Sequence, residues 1–280
     1  MKNRIFILVV VLLLSFSLFA SFDDYEPSPR ARALGGAFYS TSDDANAVFY
    51  NPAGLGFTGN NLLVSYTQLY QCDFAELNTV AFSMQLPKKF GTIGFGLLSM
   101  DVDYLGVNLT TEKTYSISHS INILKDIHSQ LNFGYTVNLY HLAINSFGNQ
   151  TELGFNVGAL ATLHTRTKIG FTFYNINNPK MGKDNSQDLP QRLAMGISYD
   201  PYQDVTTSVE LKKSLNGDTE IHAGAEVKVV EMLTLRLGTR TNPNSFSAGA
   251  RFDLYNVVVD YAANTHTMGL THHFGIGYKF

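Results

Sequence analysis

From about residue 61 to its end, this 280-residue chain alternates apolar and polar side chains with a period of two. The last eleven residues show it most clearly. Leu270, Phe274, Ile276, Tyr278 and Phe280 fall on one face with His272, and Thr271, His273, Gly275, Gly277 and Lys279 on the other. Leu233, Leu235 and Leu237 alternate with Thr234, Arg236 and Gly238, and Ile221, Ala223, Ala225, Val227 and Val229 with His222, Gly224, Glu226 and Lys228. Turn signals such as Asn216-Gly217-Asp218 and Thr241-Asn242-Pro243-Asn244 punctuate the runs. The pattern predicts about fourteen strands, near 61–70, 77–86, 90–100, 113–123, 129–142, 151–164, 168–176, 190–199, 204–213, 218–229, 233–240, 245–253, 256–263 and 268–280.

A soluble sandwich would alternate in the same way, but three features favour a barrel in lipid. The strands follow one another with no helical pattern between them. Each is close to the ~9–11 residues that cross a bilayer at a tilt. The longest links, near 101–112, 143–150 and 177–189, all fall on one side, and 87–89, 124–128, 200–203, 230–232 and 254–255 stay tight on the other. The expectation is an all-β fold, a closed antiparallel transmembrane β-barrel over 61–280. Only 15% of residues are charged, with a net charge of −3, which excludes a basic nucleic-acid binder. Past the start there is no ~20-residue apolar run, so a polytopic helical membrane protein is also excluded.

At the start, Lys2 and Arg4 precede the apolar run Ile5–Phe19, and Ala20 offers a small residue for cleavage, with Ser15 and Ser17 as a second possibility. Residues 1–20 therefore read as a secretory signal peptide. No catalytic or metal site is expected. His272 and His273 are adjacent in a strand and point to opposite faces. Cys72 is alone, and His119 and His272, outward by phase, have no outward serine beside them. No cofactor is expected. Glu210, Lys212, Glu226, Lys228, Arg236, Arg240, Arg251, Asp253 and Asp260 face inward by phase. Two readings stand: charges that orient a polar solute or hold another segment, or charges that pair with one another, Glu226 between Lys212 and Arg236.

Residues 21–60 do not alternate. Ser42 is placed to cap a short helix with Asp43 and Asp44 in its first turn, and Pro52 should end it near Tyr50. Gly35-Gly36 and Gly54 permit sharp turns on either side, and Asn51 is expected to bond backbone groups of its own turn. One of the two acids should meet Arg236, Arg240 or Arg251. The segment either hangs below the barrel or folds into its lumen.

The stretch Arg32-Ala33-Leu34-Gly35-Gly36-Ala37, followed by Asp43-Asp44-Ala45-Asn46-Ala47-Val48-Phe49-Tyr50-Asn51-Pro52-Ala53-Gly54-Leu55, resembles the amino-terminal signature of FadL-type outer-membrane transporters and of their PorV/PorQ relatives. The resemblance implies a hatch plugging a fourteen-stranded barrel and, in FadL-type transporters, a kinked third strand with a lateral opening; Gly91, Gly94 and Gly96 are the candidates here. The other reading of these glycines is that they make room for the hatch. FadL proteins proper are longer, with large outer loops, which tilts the expectation to the PorV/PorQ branch. Tyr278 and Phe280 resemble the carboxy-terminal signal read by the barrel assembly machinery. The implied setting is a Gram-negative-type outer membrane. The implied partners are outer-membrane lipid, that machinery, and either a hydrophobic small molecule to be transported or a secreted protein; a purely structural barrel is the third reading.

Overall fold

The computed structural model describes residues 22, 25–72, 74–87, 89–146, 148–182, 187–215, 217–266 and 269–280. The predicted signal peptide lies outside them. Fourteen strands form a closed antiparallel barrel: β1 (Asn61–Gln68), β2 (Ala75–Gln85), β3 (Thr92–Tyr104), β4 (Val107–Lys125), β5 (Ser129–Ile144), β6 (Gly148–Leu163), β7 (Thr167–Tyr174), β10 (Arg192–Tyr202), β11 (Val205–Ser214), β12 (Thr219–Val230), β13 (Leu233–Arg240), β14 (Ser245–Leu254), β15 (Val257–His266) and β16 (Gly269–Lys279). Two short strands, β8 (Lys180–Met181) and β9 (Gln187–Asp188), pair with each other in the link after β7. Closure joins β1 to β16 from Asn61↔Lys279 to Gln68↔His272, so the main sheet has no terminal strand.

The polarity is inverted relative to a soluble domain. Inward positions carry small polar groups, such as the buried Ser116, Ser118 and Ser120 of β4, while outward positions carry exposed Tyr115 and Ile117. One outward row, Val64–Val80–Leu97–Tyr115–Leu139–Leu153, is wholly apolar. The next row towards one end, Tyr66–Asn78–Ser99–Lys113–His141–Thr151, is mostly polar. Towards the other end apolar side chains continue to the turns themselves, where Phe90, Ile127, Tyr202, Met232, Tyr255 and the terminal Phe280 are exposed. Between Tyr115 and Leu124, ten residues of β4 at ~3.3 Å each and a tilt near 40° span about 25 Å, the height of the apolar band of a membrane barrel. Lipid is the solvent that such a band requires.

Two of the three expected long links are mostly strand. β3 and β4 are joined by a tight turn at Leu105-Gly106, both with positive φ (50° and 77°), the geometry of a two-residue hairpin. β5 and β6 likewise continue past the polar row to the link at 145–147. Alternation fades there because both faces of a strand standing above lipid meet water, so sequence periodicity ends before the ladder does. The length asymmetry resides in the link 175–191, which carries β8 and β9. The two rims are called below the tall end, where β3–β6 stand highest, and the short-turn end.

In a Cys72→Ser background, cysteine at Leu105 should react rapidly with a membrane-impermeant maleimide in proteoliposomes or cells, and cysteine at Ile117 should not. Equal labelling at the two positions contradicts this placement of the lipid band.

Candidate functional site in the barrel lumen

The non-alternating segment lies inside the barrel. It begins with α1 (Pro29–Ala33), capped by the Ser28 hydroxyl, which accepts from the Ala31 N–H, and started by a proline that has no N–H to lose. Gly35 and Gly36, at φ +67° and +89°, then reverse the chain in a conformation that other residues adopt at a cost. The second turn differs from expectation. Asp44, not Ser42, caps a 3-10 turn over Ala45–Phe49, its carboxylate accepting from the Asn46 N–H at 2.9 Å. Ser42 is wedged against Gly54, where a Cβ would lie 1.8 Å from the Ser42 carbonyl oxygen. Pro52 ends that turn after Tyr50 and opens a second one over Pro52–Phe57, capped by Asn51.

Asn51 bonds its own turn through Ala53 N–H to Oδ1 (3.2 Å), and its amide also donates to the carbonyls of Tyr39 (2.9 Å) and of Ala159 in β6 (3.1 Å). One side chain thus ties two parts of the segment to the barrel wall. Around the lumen, inward glycines let the segment touch the wall directly, mostly through its backbone. A Cβ at Gly134 would lie 2.4 Å from Ala53 N, at Gly158 2.2 Å from Asn51 Oδ1, at Gly170 2.3 Å from the Tyr39 carbonyl oxygen, and at Gly238 2.1 Å from Gly35 N. None of these four was singled out in the sequence. Their recurrence at inward phase on β5, β6, β7 and β13 is the signal that would have found them.

Gly94 and Gly96 play the same part for Leu55 and Phe49, which a Cβ would meet at 2.8 and 2.7 Å. Gly91 sits in the turn before β3 at φ +79°. Pairing of β3 with β2 and β4 is continuous from Thr92 to Val102, so the ladder holds no gap at Gly94 or Gly96.

The inward charges form two ion-pair networks and one clamp. In the first, Arg30 of α1 reaches Asp43 (2.6 Å), Asp44 (3.4 Å) and Glu226 (3.1 Å). Arg236 joins Glu226 (2.5 Å) to Asp260 (2.7 Å), Arg251 binds Asp260 (2.7 Å), and Lys168 binds Asp43 (3.0 Å). The expected contact of an acid with a lumenal arginine is Asp44 with Arg251, at 4.0 Å. Asp43 is taken by Arg30, from the segment itself. In the second network, Glu26 meets Arg32 (2.9 Å), Lys212 (3.3 Å) and Arg240 (3.4 Å), and Lys212 also meets Glu220 (3.0 Å). Lys212 therefore pairs away from Glu226, contrary to expectation, because Glu226 is occupied by Arg30 and Arg236. The clamp is Glu210, buried in β11, whose carboxylate accepts from the N–H groups of Tyr39 (2.8 Å) and Ser40 (2.7 Å) and from the Ser40 hydroxyl (2.7 Å).

Lys228 is inward by phase but exposed near the short-turn end, and Asp253 pairs with Lys279 there (2.9 Å). Arg30, Arg32, Glu26, Lys168 and Glu220 were not anticipated, since nothing in their local sequence distinguishes them from solvated charges. Glu26, Glu220 and His222 bring potential ligand atoms within 4.8 Å of one another. The Lys212 ammonium already contacts both carboxylates, so the cluster has its cation without a metal. His222 bonds the Gly35 carbonyl through Nδ1 (2.6 Å) and sets Nε2 3.1 Å from the Glu220 carboxylate. Tyr278 faces outward and stacks near Phe280, whose N–H donates to the Asn60 carbonyl.

Towards the tall end the surroundings become aromatic. Phe22, Phe49, Leu98, Tyr140 and Tyr174 line a cavity of about 80 Å³ together with the polar Asn138 and Asn156 and the charged Glu26 and Arg192. Met181 of β8 and Leu189 close over Phe22 and Tyr140. A solute entering from that end meets the rings of Phe22, Tyr140 and Tyr174 beside the charges of Glu112 and Arg192.

Two predictions follow the packing and the charges. Gly238→Val should cost about 1–3 kcal/mol of seating by forcing Leu34-Gly35 away from the wall; larger conductance with retained heat-modifiable mobility is expected, and unchanged conductance contradicts it. Burial opposes ionisation of Asp43, but Arg30 and Lys168 hold its carboxyl far below the usual range. A depressed value gives stability that is present above the unfolded-state value and lost as pH falls through the folded one. Conductance should thus stay constant from pH 8 to pH 5 and rise only in stronger acid, below the usual carboxylate range; a rise between pH 7 and pH 5 contradicts this assignment.

No protein-family model and no curated protein matches this chain. Solved structures do match. The CymD monoaromatic hydrocarbon channel aligns over 90% of this chain and 97% of its own, at 13% identity and a TM-score of 0.64. A Pseudomonas aeruginosa FadL homologue aligns over 89% and 98%, at 13% identity and 0.61. The Pseudomonas putida toluene transporter TodX aligns over 88% and 95%, at 11% identity and 0.56. The chain shares the barrel fold of these FadL-type channels.

Proposed function

We propose that the protein is an outer-membrane channel for small hydrophobic compounds, exported by a cleaved signal peptide, with the short-turn end in the periplasm and residues 22–60 acting as a gating plug. The observation that carries this is the arrangement of the lumen: a small cavity with five apolar or aromatic side chains at the tall end, then a segment fixed to the wall by ion pairs and close packing. The cavity favours an apolar solute, and the charged layer resists its axial passage, so movement of the plug is the gating step. The fold is shared with a protein described as a monoaromatic hydrocarbon channel and one described as a toluene transporter, which supports the reading. Chemistry on the solute has no role in it.

Transport is preferred to the PorV/PorQ-like role of partner in protein export. The cavity of about 80 Å³ at the tall end, beside the cluster of Phe22, Tyr140, Met181 and Leu189, has room for a small solute and none for a folded protein. Barrel assembly machinery would act once, on the Tyr278 and Phe280 end.

Uptake of a radiolabelled aromatic hydrocarbon into cells with and without the chain tests the reading; equal uptake would sink it. Replacing both Asn51 and Pro52 by Ala removes the tie to Tyr39 and Ala159. Larger or more frequent openings with unchanged gel mobility are expected in planar bilayers. Unchanged openings would mean that the segment does not gate.

A further inference from the structure

The cavity at the tall end has a polar side. Asn156, on the inner face of β6, is only 4% exposed and lines it. Its Oδ1 accepts from the Asn175 N–H at 2.9 Å. A backbone N–H can only donate, so the amide has one orientation, and Nδ2 holds two donors that have no partner among the described residues. Asn175 builds this arrangement. Its own Oδ1 accepts from the Tyr140 hydroxyl at 2.9 Å and its Nδ2 donates to the Pro190 carbonyl at 2.9 Å, so the Tyr140 ring and the Asn156 amide are held on the same cavity. The acceptors close by are already engaged. Glu112 accepts from the Phe22 N–H and the Tyr25 hydroxyl, both at 2.8 Å. Glu26 meets Arg32, Lys212 and Arg240, and Asn138 Oδ1 accepts from the Ser116 hydroxyl at 2.6 Å.

We propose that Asn156 selects solutes by an oxygen atom: the cavity takes small neutral compounds with a carbonyl-type acceptor on an apolar skeleton, ketones and aldehydes, in preference to hydrocarbons of the same shape. This narrows the transport reading and rests on it for the place of the cavity on a path. The solute oxygen accepts from Asn156 Nδ2, and its skeleton lies against the rings of Phe22, Phe49 and Tyr174. A donor left unpaired among rings is a standing cost that an oxygen removes and a hydrocarbon does not. Glu26 and Arg192 line the cavity with opposite charges, so an anion gains no net attraction there. The volume of about 80 Å³ is near half of the ~150 Å³ that encloses a benzene ring, which limits the enclosed skeleton to a few carbons.

The test uses the purified full-length chain in detergent, with isotope-labelled asparagine side chains. The probes are butanone and the alkene in which a methylene group replaces its oxygen. Butanone should shift the Asn156 side-chain amide signals saturably, and the alkene should not; Asn156→Asp identifies those signals by their loss. By saturation transfer to the ligand, with detergent alone as the blank, butanone should bind about tenfold more tightly than the alkene. In Asn156→Asp, which keeps the acceptor for the Asn175 N–H and removes both donors, the two should bind within about twofold of each other. An unmoved Asn156 signal, the result if water alone occupies the amide, overturns the proposal, as does equal affinity of the two probes for the intact chain. Tighter binding of butyrate than of butanone overturns the choice of a neutral solute. Uptake into cells is measured separately, so absent uptake with selective binding contradicts the transport reading and leaves the role of Asn156 standing.

Discussion

The bond between Arg30 and Glu226 is where the rest of this architecture meets. Arg30 belongs to the five-residue helix of the plug, Glu226 to the barrel wall, and both are largely withdrawn from water. A guanidinium in that position is tolerable only because Asp43, Asp44 and Glu226 surround it, and each of those acids leans on a further cation. Counting both networks and the Glu210 clamp, seven acids (Glu26, Asp43, Asp44, Glu210, Glu220, Glu226 and Asp260) stand with seven cations (Arg30, Arg32, Lys168, Lys212, Arg236, Arg240 and Arg251). Removing one partner leaves a buried charge uncompensated, a much larger cost than the net worth of the pair. Plug and wall are therefore conditional on each other. Polar satisfaction selects one seated position, and the inward glycines allow the backbones to approach closely enough for it to form.

That coupling explains how the outside and the inside of the barrel divide their tasks. Lipid contact asks only for an apolar band of the right height, and Val80, Leu97, Tyr115 and Leu139 supply it with little specificity. The inside has to fit one particular segment. Tyr39 and Ser40 find a carboxylate at Glu210, Gly35 finds an imidazole at His222, and Asn51 finds a carbonyl at Ala159. Above this layer the rings of Phe22, Tyr140 and Tyr174 gather beside Glu112 and Arg192.

The barrel was legible because a membrane strand declares itself by phase: all fourteen runs of alternation became strands. Where the surroundings of a strand stop differing between its two faces, the signal ends, and Thr110, Thr111 and Glu112 read as a loop although they lie in β4. The plug's turns were legible from Gly35-Gly36 and from Asn51-Pro52, whose backbone roles are local. Its partners were not, because a contact such as Lys168 with Asp43 spans 125 residues and leaves no local trace. Ser42 was the expected cap with Asp44 in the first turn; Asp44 caps instead, and Ser42 is buried against Gly54.

On the proposed function, residues 25–58 close a barrel that would otherwise be open. Single-channel recording of a chain lacking those residues, compared with the intact chain, measures it directly, with heat-modifiable gel mobility confirming that the barrel has formed. The account requires a large, steady conductance for the shortened barrel and brief or no openings for the intact one. Equal conductance from two properly folded barrels would contradict it.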